Sequence, residues 1–452
     1  MDLPQAFISK MTNLLGSEAQ DFFLALNNPA EKGITVNTKR IDLEKFKKNA
    51  NFEYMPIPLV SNGFFVNSFR FAENVFNHMG VIYSQEPSAM YPVSMMDIKD
   101  NDIVLDVCAA PGGKSIQILN ALGEKGILVS NEIVFNRAKI LDENISRMGY
   151  KNSIITCNSP QELSTLDRIF DKIIVDAPCG GEGMIRKTKF NIFDYNPNMI
   201  ESNSIRQLEI LNSVKNLLKN NGLLMYSTCT YDPRENEEVV SKFLKENSEF
   251  EIVYKNEFLQ ASEQGLEIDG KSIGYRRYPH KHKGEGQYMC LLKKCGNEDE
   301  NIRLKNTTIK GYVSISQKEQ VIIKNNLKNI GNFPDFKYLK KGDNIYIVPD
   351  TNIDLKNLNT LRVGCLLGTI QKDLLKLSHD FYHTYGEYFK NEIELQESEV
   401  NKYLHGEELD KNMTNGIYAV NYLGVTIGGG KIANGKLKNY YKKELRIWEH
   451  YY

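Results

Sequence analysis

Long hydrophobic runs are missing from this chain: none approaches the roughly 18 residues that cross a bilayer, and the opening Met1-Asp-Leu-Pro-Gln lacks the basic and apolar regions of a secretory leader. Seven cysteines form no Cys-x-x-Cys pair, which argues against both a disulfide framework and a structural zinc site. A net charge of −1 over 452 residues excludes a polycationic tail, although it leaves local basic patches open. The main glycine-rich turn fits neither G-x-G-x-x-G nor G-x-x-x-x-G-K-S/T, so the usual dinucleotide and P-loop fingerprints are absent. Internal repeats and low-complexity tracts are absent too. What remains is 41% hydrophobic and 25% charged, an ordinary globular composition in a chain long enough for two or three domains. The expectation is an intracellular, cytoplasmic protein with reduced thiols and no membrane contact, taken as a monomer.

The stretch that organises the rest is Ile103-Val-Leu-Asp-Val-Cys-Ala-Ala-Pro-Gly-Gly-Lys-Ser115. An apolar run ends in a turn of small residues, and the amphipathic run Ile116–Leu122 follows, which predicts a buried parallel strand, a tight turn and a helix. Pro111 cannot lie in a central strand and Gly112-Gly113 permits backbone geometries closed to other residues. Such a turn leaves free N–H groups at the helix start and lets a ligand approach the backbone.

Before it, three- and four-residue spacing of Leu3, Phe7, Met11, Leu14 and Leu15 predicts a helix stopped by Gly16. A short helix carrying Phe22, Phe23 and Leu26, a strand from Gly33 to Ile41 and a helix from Asp42 complete a small α+β unit. After it, strands at Gly126–Glu132, Ser153–Thr156, Asp171–Asp176 and Gly222–Cys229 alternate with helices at Phe135–Met148, Ile205–Leu218 and from Glu235 onward. This βαβ series predicts a doubly wound, mostly parallel α/β sheet, finished by an antiparallel pair near Gly274–Tyr278 and Gln287–Leu292. Residues 296–301 read as a polar linker, and strands at Tyr312–Ile315, Asn344–Val348 and Gly416–Val420 mark a C-terminal α+β region. Its last part, Gly428–Arg446, sets six Lys/Arg against one Glu around Tyr440 and Tyr441. That mixture suits phosphates and unpaired bases as well as it suits a solvated surface strand.

Ligands of open α/β sheets bind beyond the carboxyl ends of the strands. Four features fall there. The turn Cys108, Ala109, Ala110, Pro111, Gly112, Gly113, Lys114 is the first, and Glu132, suited to ribose hydroxyls or simply opening a loop, is the second. The others carry Cys179 and Cys229, which follow strand ends amid Pro, Thr, Gly and Asp rather than apolar neighbours. Cys108 and Cys157 also lie near strand ends, so position alone does not choose the pair; Cys290, Cys295 and Cys365 read as structural. Asp176, three residues before Cys179, can share a proton with a ring nitrogen or an exocyclic amine, or cap a local turn. His280 and His282 find no third ligand at metal spacing and read as structural or RNA-facing.

With these stretches in view, the chain resembles the Sun-family (Fmu-type) RNA cytosine-5 methyltransferases. The family's D-x-C-A-A-P-G-G-K turn stands at Asp106–Lys114, its D-A-P-C-S-G-x-G at Asp176–Gly183, and its S-T-C-T and E-N-E at Ser227–Thr230 and Glu235–Glu237. Tyr83–Met90 and Arg277–Gly286 also resemble family segments, and the Leu-Pro start and C-terminal region resemble the bacterial RsmF-type branch that modifies small-subunit ribosomal RNA. Two departures are Gly180, where the family has a serine, and Thr35, where an arginine is common. The resemblance implies a class I S-adenosylmethionine-dependent methyltransferase domain at 75–295. It implies an RNA-contacting unit at 1–74 and an RNA-binding, PUA-like region at 302–452. It assigns Cys229 as the nucleophile that adds to cytosine C6, Cys179 as the residue that helps release it, and Asp176 as the partner of the base near N3 and N4. Cofactor contacts implied are the Cys108–Lys114 turn, Glu132 at the ribose, Asn158 near the adenine and Asp176 near the methionine end, with no metal. Ribosomal RNA or the small subunit is the implied partner; transfer RNA with the same chemistry and a non-catalytic RNA-binding assembly factor are the alternatives. A nicotinamide-dependent oxidoreductase conflicts with the missing G-x-G-x-x-G.

Overall fold

A computed structural model describes residues 3–67, 69–186, 198–297, 308–351 and 353–447. Most of the expected linker, from residue 298 on, lies outside the described residues. The centre is a ten-stranded sheet. Its parallel heart consists of β1 (Ile103–Asp106), β2 (Ile127–Asn131), β3 (Ser153–Thr156), β4 (Phe170–Asp176) and β5 (Leu218–Thr228), in the order β3-β2-β1-β4-β5. These strands are buried on both faces, which is why they read as continuous apolar runs rather than alternating ones. Helices α1 (Gly113–Ala121), α2 (Phe135–Met148) and α3 (Asn198–Val214), with a short helix at Pro160–Leu163 between β3 and β4, make the crossovers, and α4 (Glu237–Glu246) follows β5. The strand order reverses between β1 and β4, the switch point where an open α/β sheet opens a crevice.

Beyond β5 the expected antiparallel pair is present as β6 (Tyr275–Arg277) and β7 (Gln287–Lys294). The opposite edge differs from expectation. Strand β8 (Thr360–Val363), from inside the C-terminal region, pairs antiparallel with β3 and closes the sheet. Its approach is pinned by Asn158, whose side chain accepts from the Asn359 N–H (2.8 Å) and donates to the Asn359 carbonyl (3.1 Å). Ile309, Ile353, Leu355 and Leu358 enter the core of the central sheet with it.

The N-terminal unit holds a four-stranded antiparallel sheet in the order Tyr54–Pro56, Gly63–Val66, Lys32–Val36, Ile82–Ser84, so it reaches past residue 74. The predicted strand to Ile41 stops at Val36, because Asn37 turns the chain and its side chain donates to the Gly80 and Met148 carbonyls. The C-terminal region builds two five-stranded sheets. Ile34, Val36 and Phe64 of the N-terminal sheet share one apolar cluster with Ile393, Tyr418 and Val420 of the last sheet, so the two ends of the chain are packed on each other. Among the described residues no helix is long and apolar enough to cross a membrane.

Candidate active site

The turn after β1 is built as the sequence reading expects. Gly112 adopts φ +118°, a conformation closed to residues with a Cβ, and starts α1. Tyr83 and Asn144 donate to the Pro111 carbonyl and Arg137 to that of Ala110, so the turn is held from three directions. A cavity of about 310 Å³ opens beside it, lined by this turn together with Gln85, Glu86, Asp106, Asp176, Met184 and Cys229.

At the floor, the Lys114 Nζ donates to Asp176 Oδ2 at 2.7 Å, and the Ser227 hydroxyl donates to Asp176 Oδ1 at the same distance. Burial works against the Lys114 charge, but Asp176 outweighs it and holds the ammonium above the ordinary lysine value. Asp106 is fully buried and accepts from the Ser115 hydroxyl (2.7 Å), while its Oδ1 has no hydrogen-bond partner. Burial, with the Asp176 charge nearby, pushes the Asp106 carboxyl up to about 7 despite the Ser115 bond. Burial likewise pushes the Cys108 thiol up, which leaves it an inert wall of the cavity.

The two cysteines singled out converge. Cys179 Sγ and Cys229 Sγ lie 3.4 Å apart. The bond to Cys229, burial and the Glu235 charge together raise the Cys179 thiol well above the usual range. Cys290 and Cys365 are buried as expected, whereas Cys295 is exposed at the end of β7.

Other expected site residues are placed differently. Glu132 is buried and does not line the cavity; it accepts from the Val134 N–H (3.0 Å) and pairs with Arg137 (3.4 Å). Asn158 is 2% exposed and both ends of its side chain are spent on Asn359, so the structure does not bring it to the cavity. Thr35 is buried and donates to Gln85 Oε1 (2.7 Å); it supports the cavity wall and offers nothing to RNA. Tyr441 is packed edge-on against Tyr403 and His379, so of the adjacent pair Tyr440 and Tyr441 only Tyr440 is exposed. His280 packs on Phe22 and pairs with Glu18, and His282 pairs with Glu263.

Sequence reasoning passed over Gln85, Glu86, Asp106 and Met184 as site residues, although Gln85 and Glu86 stand in the quoted Tyr83–Met90 segment. The N-terminal helix Gln5–Leu15 is present as predicted, but its place at the site was not foreseen: its Lys10 pairs with Glu182 and Asp232 on the loops that carry the two cysteines.

The cavity suits a cationic ligand of nucleoside size: a buried carboxylate oxygen without a partner faces it, backbone groups of a glycine turn line it, and Asp176 adds a second carboxylate. Known proteins agree. Residues 93–293 match the family described as 16S rRNA methyltransferase RsmB/F, residues 3–87 the N-terminal domain of 16S rRNA methyltransferase RsmF, and residues 390–447 the methyltransferase RsmF PUA domain. The ribosomal RNA small subunit methyltransferase F of Psychromonas ingrahamii is 30% identical over 474 residues, covering 98% of this chain and 97% of that protein. Its namesake from Vibrio campbellii is 28% identical, with the same coverage. A methyltransferase homolog protein from Pyrococcus horikoshii has a similar structure (28% identity, TM-score 0.56, 64% of this chain and 94% of that one). NSun6 from the same organism, solved with SFG, shares the fold (21% identity, TM-score 0.57, 65% and 99%). Sequence kinship along nearly the whole chain and the cavity itself lead to one conclusion: the chain belongs to the RsmB/F family of 16S rRNA methyltransferases, with S-adenosylmethionine as methyl donor.

Proposed function

We propose that this enzyme methylates C5 of cytosine in small-subunit ribosomal RNA through a covalent bond from Cys229 to C6, resolved with help from Cys179. The observation that carries the reading is the 3.4 Å approach of two sulfurs at the edge of the cavity that holds Lys114 and Asp176.

Cytosine C5 is a weak nucleophile, and a thiolate added at C6 gives it enamine character, replacing one hard step by easier ones. S-adenosylmethionine, when bound against the Cys108–Lys114 turn and Asp106, supplies the electrophilic methyl group. Glu132, whose charge acts on the cavity-lining Cys108, is assigned to the ribose hydroxyls, and Asn158 supports that end through the β8 edge it anchors. Cys229 lines the cavity, and the Lys114 ammonium keeps positive charge near its sulfur. Asp176, oriented by Lys114 and Ser227, holds the N3/N4 edge of the base and stabilises the adduct. The C5 proton must then leave as the Cys229–C6 bond breaks and the ring regains its double bond; Cys179, 3.4 Å from the Cys229 sulfur, gives its proton to the departing thiolate and takes the C5 proton in exchange. The base has to leave its stack to enter, and the unit at 1–74 and the region at 302–452 grip the surrounding RNA. Lys431, Lys436 and Lys438, exposed on the last sheet, serve the phosphates. The reading has the protein act as a cytoplasmic monomer.

Tritiated methyl transfer to naked 16S ribosomal RNA, assembled small subunits and transfer RNA tests the substrate. Incorporation into one of the two ribosomal forms, at cytosine C5, is expected; labelling of transfer RNA alone overturns the ribosomal assignment.

A further inference from the structure

We propose that the adjacent residues Glu235 and Asn236 form a clamp that sets the spacing of the two thiols, each gripping the backbone or side chains on both sides of one cysteine. The inference rests on the two-cysteine reading above and gives a role to residues that touch neither substrate nor cofactor. Both are fully buried.

On the Cys179 side, the Gly180 N–H donates to both carboxylate oxygens of Glu235 (3.1 and 3.2 Å). Gln207 of α3, also fully buried, donates to Glu235 Oε1 (3.0 Å) and to the Pro178 carbonyl (2.9 Å). The residue before Cys179 and the residue after it are therefore held by one carboxylate–amide pair. On the Cys229 side, the Thr228 hydroxyl donates to Asn236 Oδ1 (2.5 Å) and the Asn236 amide donates to the Thr230 carbonyl (3.0 Å). Those residues again flank the cysteine. The clamp is fixed to the sheet by the Tyr226 hydroxyl of β5, which donates to the Glu235 carbonyl (2.6 Å).

The two halves differ in charge. The carboxylate partners of Glu235 named above are all neutral donors, and its charge adds to the Cys229 contact and to burial in raising the Cys179 thiol. A negative charge there keeps the Cys179 thiol protonated, so that Cys229 is the sulfur that attacks. Cys179 gives up its proton only on release, to the Cys229 thiolate 3.4 Å away as it leaves C6, and takes the C5 proton in its place. The Asn236 half carries no charge and acts by geometry alone. Gly180 belongs to the same device, since a Cβ at that position lies 3.1 Å from Glu235 Oε2.

The test uses the full-length enzyme and three variants, E235A, E235Q and N236A, with adduct formation and release followed on denaturing gels in a single turnover. E235A is expected to form the Cys229–RNA adduct near the normal rate and to release it at least about tenfold more slowly, as small misplacements of a reacting group do. N236A is expected to slow formation instead. E235Q, which keeps an acceptor for Gly180, should recover most of the release rate. With C229S as background, alkylation of Cys179 by iodoacetamide should move to lower pH in both E235A and E235Q; this readout needs no RNA and survives a loss of folding in E235A through the glutamine variant. Equal slowing of one and the same step by E235A and N236A overturns the clamp, as does an unchanged alkylation profile in E235Q. If C179A itself accumulates no adduct, the two-cysteine reading falls; if C179A accumulates it and E235A does not, the clamp alone falls.

Discussion

Lys114 Nζ and Asp176 Oδ2 lie 2.7 Å apart, and this pair ties the turn after β1 to the end of β4 across the switch point of the sheet. The lysine is 8% exposed and the carboxylate about a third, so removing one partner strands a buried ammonium while removing the other leaves a carboxylate that water still reaches. D176A is therefore expected to cost on the order of 1–3 kcal/mol of stability as well as activity. K114M keeps the buried stem without the charge, so it should cost less stability while abolishing transfer. The double variant should be more stable than D176A and equally inactive, a non-additivity that denaturant unfolding of the four proteins reads directly.

Asp106 gives the cofactor site a pH dependence whose sign is fixed. Its folded value, about 7, is above that of an unfolded aspartate, so its contribution to stability is full below the unfolded value and is lost as pH rises towards 7. The slope is at most about 1.4 kcal/mol per pH unit. A cationic methyl donor reverses the preference, because it favours the ionised carboxylate. Binding of S-adenosylmethionine should strengthen by up to about tenfold per pH unit up to neutrality, level off, and release a proton. Calorimetry in buffers of different ionisation enthalpy measures that proton; D106N should bind weakly with no pH dependence, and a pH-independent wild type would contradict the assignment.

Two glycines near the cysteines separate space that can yield from space that cannot. A Cβ on Gly183 meets the Gly286 and Cys229 carbonyls at 2.6 and 2.8 Å, and Gly183 itself donates to the Cys229 carbonyl. Backbone has nowhere to move there without carrying Cys229 along. G183A should cut turnover by about a hundredfold through displacement of the thiol. G180S places its Cβ closest to the end of the Glu235 side chain, at 3.1 Å, with Thr230 and Glu182 at ordinary contact distance. Its stability should change by less than about 1 kcal/mol, and its turnover should stay within a few-fold of the parent.

How far these features could be read beforehand follows from their physics. The β1 turn and the two cysteine loops are legible because each is written locally: an apolar strand stops at small or turn-forming residues within a few positions. Strand β8 is not, since nothing periodic in Thr360–Val363 announces a partner some two hundred residues away, and the Asn158–Asn359 bonds that seat it are two polar contacts without a pattern. Tyr441 and Thr35 show the same limit. Burial of a tyrosine beside lysines, or of a threonine on a strand, depends on which sheet packs over it. The helix predicted from Glu235 onward is present and starts at Glu237; what no local pattern announces is that Glu235 accepts from the Gly180 N–H and that Glu237 pairs with buried Arg276.

The junction of all three parts of the chain carries the last prediction. His383, from the C-terminal region, donates through Nε2 to the Arg147 carbonyl of α2 (2.7 Å) and faces Arg40 of the N-terminal unit, whose Nη1 donates to the His383 carbonyl (2.7 Å). The ring is buried, and burial plus the Arg40 charge hold it well below the ordinary histidine value, with His379 and Arg147 adding the same sign. A histidine depressed on folding contributes stability that is present above its unfolded value near 6.5 and is lost as pH falls. Each such group steepens the acid limb by up to about 1.4 kcal/mol per pH unit. His379 stacks on His383, and burial lowers it to about 4, so it acts in the same direction. Glutamine at 383 can donate to Arg147 and accept from Arg40 without titrating. Urea unfolding of H383Q and the parent should therefore nearly coincide at about pH 7.5, with the variant gaining a growing advantage as pH falls towards 5. Parallel curves across that range would mean that the histidine is not the group whose protonation opens the junction.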